Sequence, residues 1–359
     1  MRLIRRKDAV GFLVLKVIIL LPAALLLVSC GGTETGGLPD DDDNEIPGPG
    51  NVVDPEPEQI DYAALGVNEA GQIMVLMYHQ IAESEDEWVR TPQNFRKDLE
   101  TLYAAGYRLV SMNDLLDGKI DLPAGTTPVV LTFDDGTIGQ FRYLEDGKEL
   151  IIDSDCAVGI LEQFYAEHPD FGLAATFYLF YAGTPFGQYE FVQQKLAYLE
   201  ERGFEIGSHT YSHPSLRSIS PEAARKELAD QVRQTQQYLP GYRVRSLALP
   251  YGAHPDDKSY IIAGSHDGVS YHHEGILLVG SNPAPSPFSA RFDGAAIPRI
   301  RASEMLTDGA GMYDWLQRFA ENPLNRYISD GDPDTVAVPE ELKDQVDQAK
   351  LAGRRLVIY

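Results

Sequence analysis

The chain has only two cysteines in 359 residues, Cys30 and Cys156, so no disulfide framework can hold it together. Positive charge is also scarce. Thirty Lys and Arg stand against 54 Asp and Glu, for a net charge of −24. That balance repels phosphate backbones and anionic surfaces, which excludes nucleic acid as an electrostatic partner. It suits a neutral or cationic ligand, or an acidic surface that does nothing beyond keeping the protein in solution. There is no internal repeat. What the sequence does hold is a 43% hydrophobic content with 19 Tyr and 14 Phe, enough for a well-packed core. The length fits one large α/β domain or two ordinary ones.

The N-terminus reads as a targeting segment. Arg2, Arg5, Arg6 and Lys7 form a basic start, and Val10 to Val28 is apolar except at Lys16. The string Leu27-Val28-Ser29-Cys30-Gly31-Gly32 resembles the lipobox of bacterial lipoproteins. That resemblance implies a signal peptide over residues 1–29, a lipidated Cys30, and export to the outer face of a cell membrane, with the lipid as anchor. An ordinary signal peptide or an uncleaved anchor is the alternative. Residues 30–60 are rich in Gly, Pro, Asp and Glu and bury too little apolar surface to fold, so they read as a disordered tether. The folded domain is then 61–359, and Cys156, left without a partner, reads as a small buried apolar residue.

Strand and helix signals alternate through that domain. Ile73–Tyr78, Arg108–Ser111, Val129–Phe133, Ala174–Phe180, Phe204–Ser208, Ser246–Leu249, Ala296–Ile300 and Leu356–Tyr359 are apolar runs of strand length. Between them, Thr91-Pro92 opens a helix with Phe95, Leu99 and Leu102 on one face, and Ser220-Pro221 opens another along Ala224, Leu228, Val232, Thr235 and Leu239. Further helices are predicted over Val158–His168 and Phe191–Arg202. This alternation predicts an α/β fold with a mostly parallel sheet, either a barrel or an open doubly wound sheet. In both, reactive groups gather at the C-terminal ends of the strands.

Two strings land on that face. Thr132-Phe133-Asp134-Asp135-Gly136 places adjacent carboxylates after an apolar run, and His209-Thr210-Tyr211-Ser212-His213 places two imidazoles four residues apart. One carboxylate and two histidines make a three-ligand set for a divalent metal with a position left open. The second carboxylate is then free to act as a base. Pro214 favours loop-borne histidines over a longer helix.

With Val75-Leu76-Met77-Tyr78-His79 as an opening strand and Leu249-Pro250-Tyr251-Gly252 as a third motif, the chain resembles the polysaccharide deacetylases of the NodB-homology superfamily, carbohydrate esterase family four, over most of residues 73–300. The resemblance implies a distorted (β/α) barrel with a single catalytic domain. It implies Asp134 as general base, Asp135, His209 and His213 as ligands of a divalent metal, most often zinc, and the Tyr251 backbone N–H as an oxyanion donor. The substrate would be an N-acetylated polysaccharide such as peptidoglycan, poly-N-acetylglucosamine or chitin.

Two positions depart from the family pattern. The Arg that often precedes the third-motif proline is Ala248 here, and Arg299 is the candidate to replace it, with a surface arginine as the other reading. The late Leu-x-His motif that supplies the acid is not evident. His79, His272 and His273 are candidates for that role, with His79 first because the subgroup acting on poly-N-acetylglucosamine draws its histidine from the opening strand. Gly139-Gln140-Phe141-Arg142-Tyr143 reads as part of a sugar groove or as an elaborated loop. A carbohydrate-binding protein without turnover and an O-acetyl esterase remain as alternatives.

Overall fold

A computed structural model describes residues 60–359. The expected signal segment, Cys30 and the tether as far as residue 59 lie outside the described residues. Among the described residues no helix is long and apolar enough to cross a membrane.

Eight parallel strands carry the fold: β1 (Gln72–Tyr78), β2 (Tyr107–Leu109), β3 (Thr127–Asp134), β4 (Thr176–Leu179), β5 (Glu205–Ser208), β6 (Ser246–Ala248), β7 (Gly275–Leu277) and β8 (Ile300–Arg301). Their order is β7-β6-β5-β4-β3-β1, with β8 on the far side of β1 and β2 beside the first half of β3. A short strand, Ala284–Pro285, pairs antiparallel with the start of β1. Every residue of β3 and all but the first of β1 are buried, as expected of parallel strands covered on both faces.

Alternation divides the two faces. Met74, Leu76 and Tyr78 of β1, Val129, Leu131 and Phe133 of β3, and Phe177 and Leu179 of β4 face outward into the main core. There they meet α1 (Pro92–Ala104), α2 (Ala157–Glu167) and α3 (Val192–Glu201). Phe133 sits between Tyr78 and Phe177, with ring centroids 5.2 and 5.0 Å away. Ile73, Val75, Val130 and Tyr178 face inward. Gly207 in β5 makes room for the Tyr178 ring, which a Cβ there would meet at 2.3 Å. Local capping explains where helices begin. The Thr91 side chain accepts from the Asn94 N–H ahead of α1, and Ser220 does the same for Ala223 ahead of α4 (Pro221–Tyr238), each with proline in the first turn.

One segment closes the curled sheet. Ile297 pairs with Leu277 at the edge of β7, and three residues later Ile300 pairs with Leu76 of β1. The strand expected over Ala296–Ile300 is therefore shorter than its apolar pattern suggests. Residues Gly294–Ala296 form a 3₁₀ turn, and Pro298, which has no N–H to donate, falls where the chain changes partner. The result is the distorted barrel the resemblance implies.

The stretch after Gly136 corrects one expectation. Phe141 and Tyr143 are buried in the outer core beside Phe186 and Tyr198, so they cannot stack on a sugar. The rest of that stretch is an antiparallel hairpin, Tyr143–Asp146 with Glu149–Ile152. Cys156 is fully buried at the start of α2, as read from the sequence.

Candidate active site

The C-terminal ends of β1, β3 and β5 form a rim, and the chain turns sharply there. Asp135, Thr210, His213 and Tyr251 all have positive φ, between 61° and 76°, in a region side chains rarely adopt. Such strain persists only where surrounding contacts enforce it, and it clusters at working sites. The His209–His213 loop shows the enforcement. The Thr210 hydroxyl accepts from the His213 N–H at 3.0 Å, while Glu227 of α4 accepts from the Tyr211 and Ser212 N–H groups at 3.1 and 2.7 Å.

These turns bring three ligand atoms together. Asp135 Oδ1 lies 3.4 Å from His209 Nε2 and 3.5 Å from His213 Nε2, and the two imidazole nitrogens are 3.1 Å apart. Tetrahedral bonds of about 2.0–2.1 Å to N and O ligands set their atoms about 3.3 Å apart, so this triangle fits one divalent ion. The second layer of contacts agrees. His209 Nδ1 donates to the Ala248 carbonyl at 2.8 Å, which leaves Nε2 as the free lone pair. Burial would raise the Asp135 pKa, but the neighbouring His209, and after it His79, hold it below the ordinary value. Burial and the neighbouring His209 lower His213. An ionised carboxylate and neutral imidazoles are the forms a metal requires.

Asp134 lies on the inner side of the same turn. Arg299, fully buried, grips it with two parallel hydrogen bonds of 2.7 Å, and also donates to the Thr132 hydroxyl at 3.2 Å and the Leu278 carbonyl at 2.9 Å. Burial alone would raise Asp134. The Arg299 charge and hydrogen bonds, with help from His209 and His79, overcome this and hold the carboxyl well below the usual carboxylate range. Arg299 is thus no surface residue, and it brings to Asp134 the guanidinium missing at Ala248, whose own side chain packs in the inner core.

His79 Nε2 comes within 3.9 Å of Asp134 Oδ2. Burial lowers its pKa, opposed by Asp134 and Asp135. The other two histidines lie elsewhere. His272 is exposed on the hairpin Ala263–His266/Val269–His272, and His273 is buried with Nδ1 bonded to the Ile261 carbonyl at 2.7 Å. Tyr251 is 70% exposed, its ring edge-on to His213 at 4.9 Å, and among the described residues its backbone N–H has no partner. An open cleft of about 640 Å³ runs over the metal side, walled by Thr137, Ile138, Phe180, Thr184, His213 and Tyr251.

Two residues escaped the sequence reading. Gln140 is fully buried, and its amide donates to the backbone carbonyls of His79 at 2.6 Å and Asp134 at 2.5 Å, tying two strand ends together. Trp88 packs against His79 at 4.7 Å. A glutamine in a presumed groove and a tryptophan in an acidic loop carry no pattern that betrays either role.

Residues 122–264 match the polysaccharide deacetylase family. Among curated proteins none matches this chain. Of solved structures, the Streptococcus pyogenes deacetylase PplD in complex with acetate is 20% identical, covering 68% of this chain and 97% of its own, with a TM-score of 0.51. IcaB from Ammonifex degensii is 18% identical over 70% of this chain and 99% of its own, with a TM-score of 0.50. Both likenesses are of fold. The matched span, about two fifths of the chain, holds Asp134, Asp135, His209, His213 and Tyr251, so the residues of the rim lie inside the stretch that is similar to polysaccharide deacetylases, and the fold around them is the one those two structures share.

Proposed function

We propose that this protein removes N-acetyl groups from amino-sugar residues of a polysaccharide, with Asp134 as base and a divalent metal, zinc first, held by Asp135, His209 and His213. The observation that carries the proposal is the pairing of that ligand triangle with an ionised neighbour, Asp134, whose charge Arg299 secures. A divalent ion bound there supplies Lewis acidity, polarising the amide carbonyl and lowering the pKa of water. Everything else falls to the chain. Asp134 accepts a proton from the attacking water. The Tyr251 N–H donates to the oxygen of the tetrahedral intermediate. His79 gives a proton to the leaving amine as the C–N bond breaks. Acetate and a free amine result.

The open cleft suits a polymer that enters and leaves from the side. The neighbour solved with acetate makes acetate the product to follow first, although that ligand belongs to the neighbour's site. For location, we propose export and lipid attachment at Cys30, testable by mass spectrometry of the mature N-terminus.

Acetate release is the direct assay, run on N-acetylglucosamine oligomers, peptidoglycan and acetylated xylan before and after chelation. Release from an amino-sugar substrate that disappears with chelator and returns with zinc is the expected result. Release from xylan alone would make the enzyme an O-acetyl esterase. Metal bound with no release from any substrate would leave a binding role.

A further inference from the structure

The two ends of the proton path are held in different ways. Asp134 is locked by a bidentate arginine. His79 is not: among the described residues its ring makes no hydrogen bond, and the carboxylate it faces, Asp134 Oδ2, is 3.9 Å away. An imidazole that must meet a leaving amine still needs a fixed plane. The orienting hydrogen bond that His209 donates to the Ala248 carbonyl has no counterpart here.

What His79 has is Trp88. The two rings lie 4.7 Å apart at 56°. Trp88 ends the loop of residues 82–88 and is 40% exposed, so the core alone does not fix its ring. It is backed by Arg301, whose guanidinium stands 4.9 Å from the indole centroid. Arg301 is itself held by Glu87 at 2.6 Å and by the carbonyls of Met305 and Leu306. Glu87 immediately precedes Trp88, so the ion pair ties down the loop that carries the indole. A cation over an indole face is attractive and favours the rotamer that keeps the contact.

We propose that Trp88, backed by Arg301 and Glu87, is a positioning residue for His79. This rests on the deacetylase reading with His79 as acid. Arg301 follows Arg299 by two residues, so both arginines lie on the same face of the segment that closes the barrel. That one segment sets both ends of the proton path: Arg299 fixes the base directly, and Arg301 fixes the acid through an indole.

The test exploits the leaving group. A sugar amine must be protonated as it departs, whereas 4-nitrophenolate needs no acid. Full-length wild type, His79→Gln, Trp88→Leu, Trp88→Phe and Arg301→Gln are assayed on N-acetylglucosamine pentamer and on 4-nitrophenyl acetate, with zinc content measured for each. His79→Gln is expected to lose about 10²-fold in kcat on the pentamer, and Trp88→Leu about tenfold, with both near wild type on the ester and in zinc content. Trp88→Phe and Arg301→Gln should fall between Trp88→Leu and wild type. Adding Trp88→Leu to His79→Gln should cost nothing further, because both act through one ring.

A rise in KM with kcat unchanged would make Trp88 a sugar platform and overturn the proposal. Equal losses on both substrates would make its role structural and overturn it too. An NMR readout separates this inference from the reading beneath it. The His79 ring proton resonances should shift and broaden in Trp88→Leu, and unchanged resonances would sink the clamp. If they do shift, but His79→Gln cleaves the pentamer like wild type, the acid assignment fails and the clamp stands.

Discussion

Two buried carboxylates at opposite ends of the barrel behave in opposite ways. Asp134 ends β3 at the rim, and Glu69 lies just before β1 at the other end. Neither sees water. Asp134 has the Arg299 fork and is held below the usual carboxylate range despite its burial. Glu69 has no ion pair among the described residues. Burial and the neighbouring Asp330 push it up to about 8, even though Tyr327 and the Ala337 and Asp330 N–H groups donate to it. Neutral donors soften the cost of a buried charge, and only a full positive charge reverses it. A base that must be ionised in a dry site therefore requires its arginine.

Removing that arginine should produce the largest change, because it turns Asp134 into a second Glu69. Arg299→Met leaves a buried carboxylate without a partner, a change that typically costs about 3–5 kcal/mol of stability. At neutral pH, acetate release should fall by about 10²–10⁴-fold as the base gains a proton and loses its alignment. The pH dependence carries the sign. In the wild type the depressed Asp134 pKa adds stability that is fully present above the ordinary carboxylate value, and it is lost only when pH falls through the lower folded value. Acid denaturation should therefore begin at lower pH in wild type than in Arg299→Met, and the acid limb of the rate profile should move upward in the variant. Urea midpoints and kcat measured across pH check both.

Asp134→Asn sharpens the contrast from the other side. It removes the base but keeps one acceptor for the Arg299 fork. Activity should drop by about 10²–10⁴-fold with a smaller loss of stability than Arg299→Met, and zinc content should stay near one per chain because Asp135, His209 and His213 are untouched. Arg299→Lys ranks next. It keeps the charge that ionises Asp134 but loses the two-pronged alignment, so the acid limb should stay close to its wild-type position while kcat falls. A limb that moved as far as in Arg299→Met would mean that the fork, and not the charge, sets the Asp134 pKa.

The same contrast separates what the sequence disclosed from what it hid. The triangle of Asp135, His209 and His213 was legible as a candidate ligand set because each string is short and local: Asp135 follows its strand, and His209 and His213 share one loop. The alternation of strand and helix was legible for a similar reason, since period and caps are written within about ten residues. The arginine was harder. Arg299 meets Asp134 across 165 residues, through a closing segment whose proline and partner switch give it a weak strand pattern. Phe141 and Tyr143 misled because aromatic residues beside a rim look the same whether they face a groove or a core. Gln140 and Trp88 act through a carbonyl clamp and a ring stack that exist only after β1, β3 and the closing segment have met.

Glu69→Gln tests the quiet end of the comparison and should have the smallest effect. A carboxyl whose folded pKa is raised contributes stability that is fully present below the ordinary 4.5 and is lost as pH climbs toward about 8. Wild type should therefore weaken across that window, and the variant, which cannot ionise, should not. The amide puts an NH2 where the neutral acid has a hydroxyl oxygen that can still accept from the surrounding donors, so at pH 5 the variant should be slightly less stable than wild type, with the difference closing or reversing by pH 8. Urea midpoints at the two pH values decide it. Parallel pH slopes would mean that the Tyr327 hydroxyl and the two N–H donors keep Glu69 ionised after all. Acetate release should be unchanged in either case, because the proton at Glu69 is held at the end of β1 opposite to the one where His79 meets Asp134.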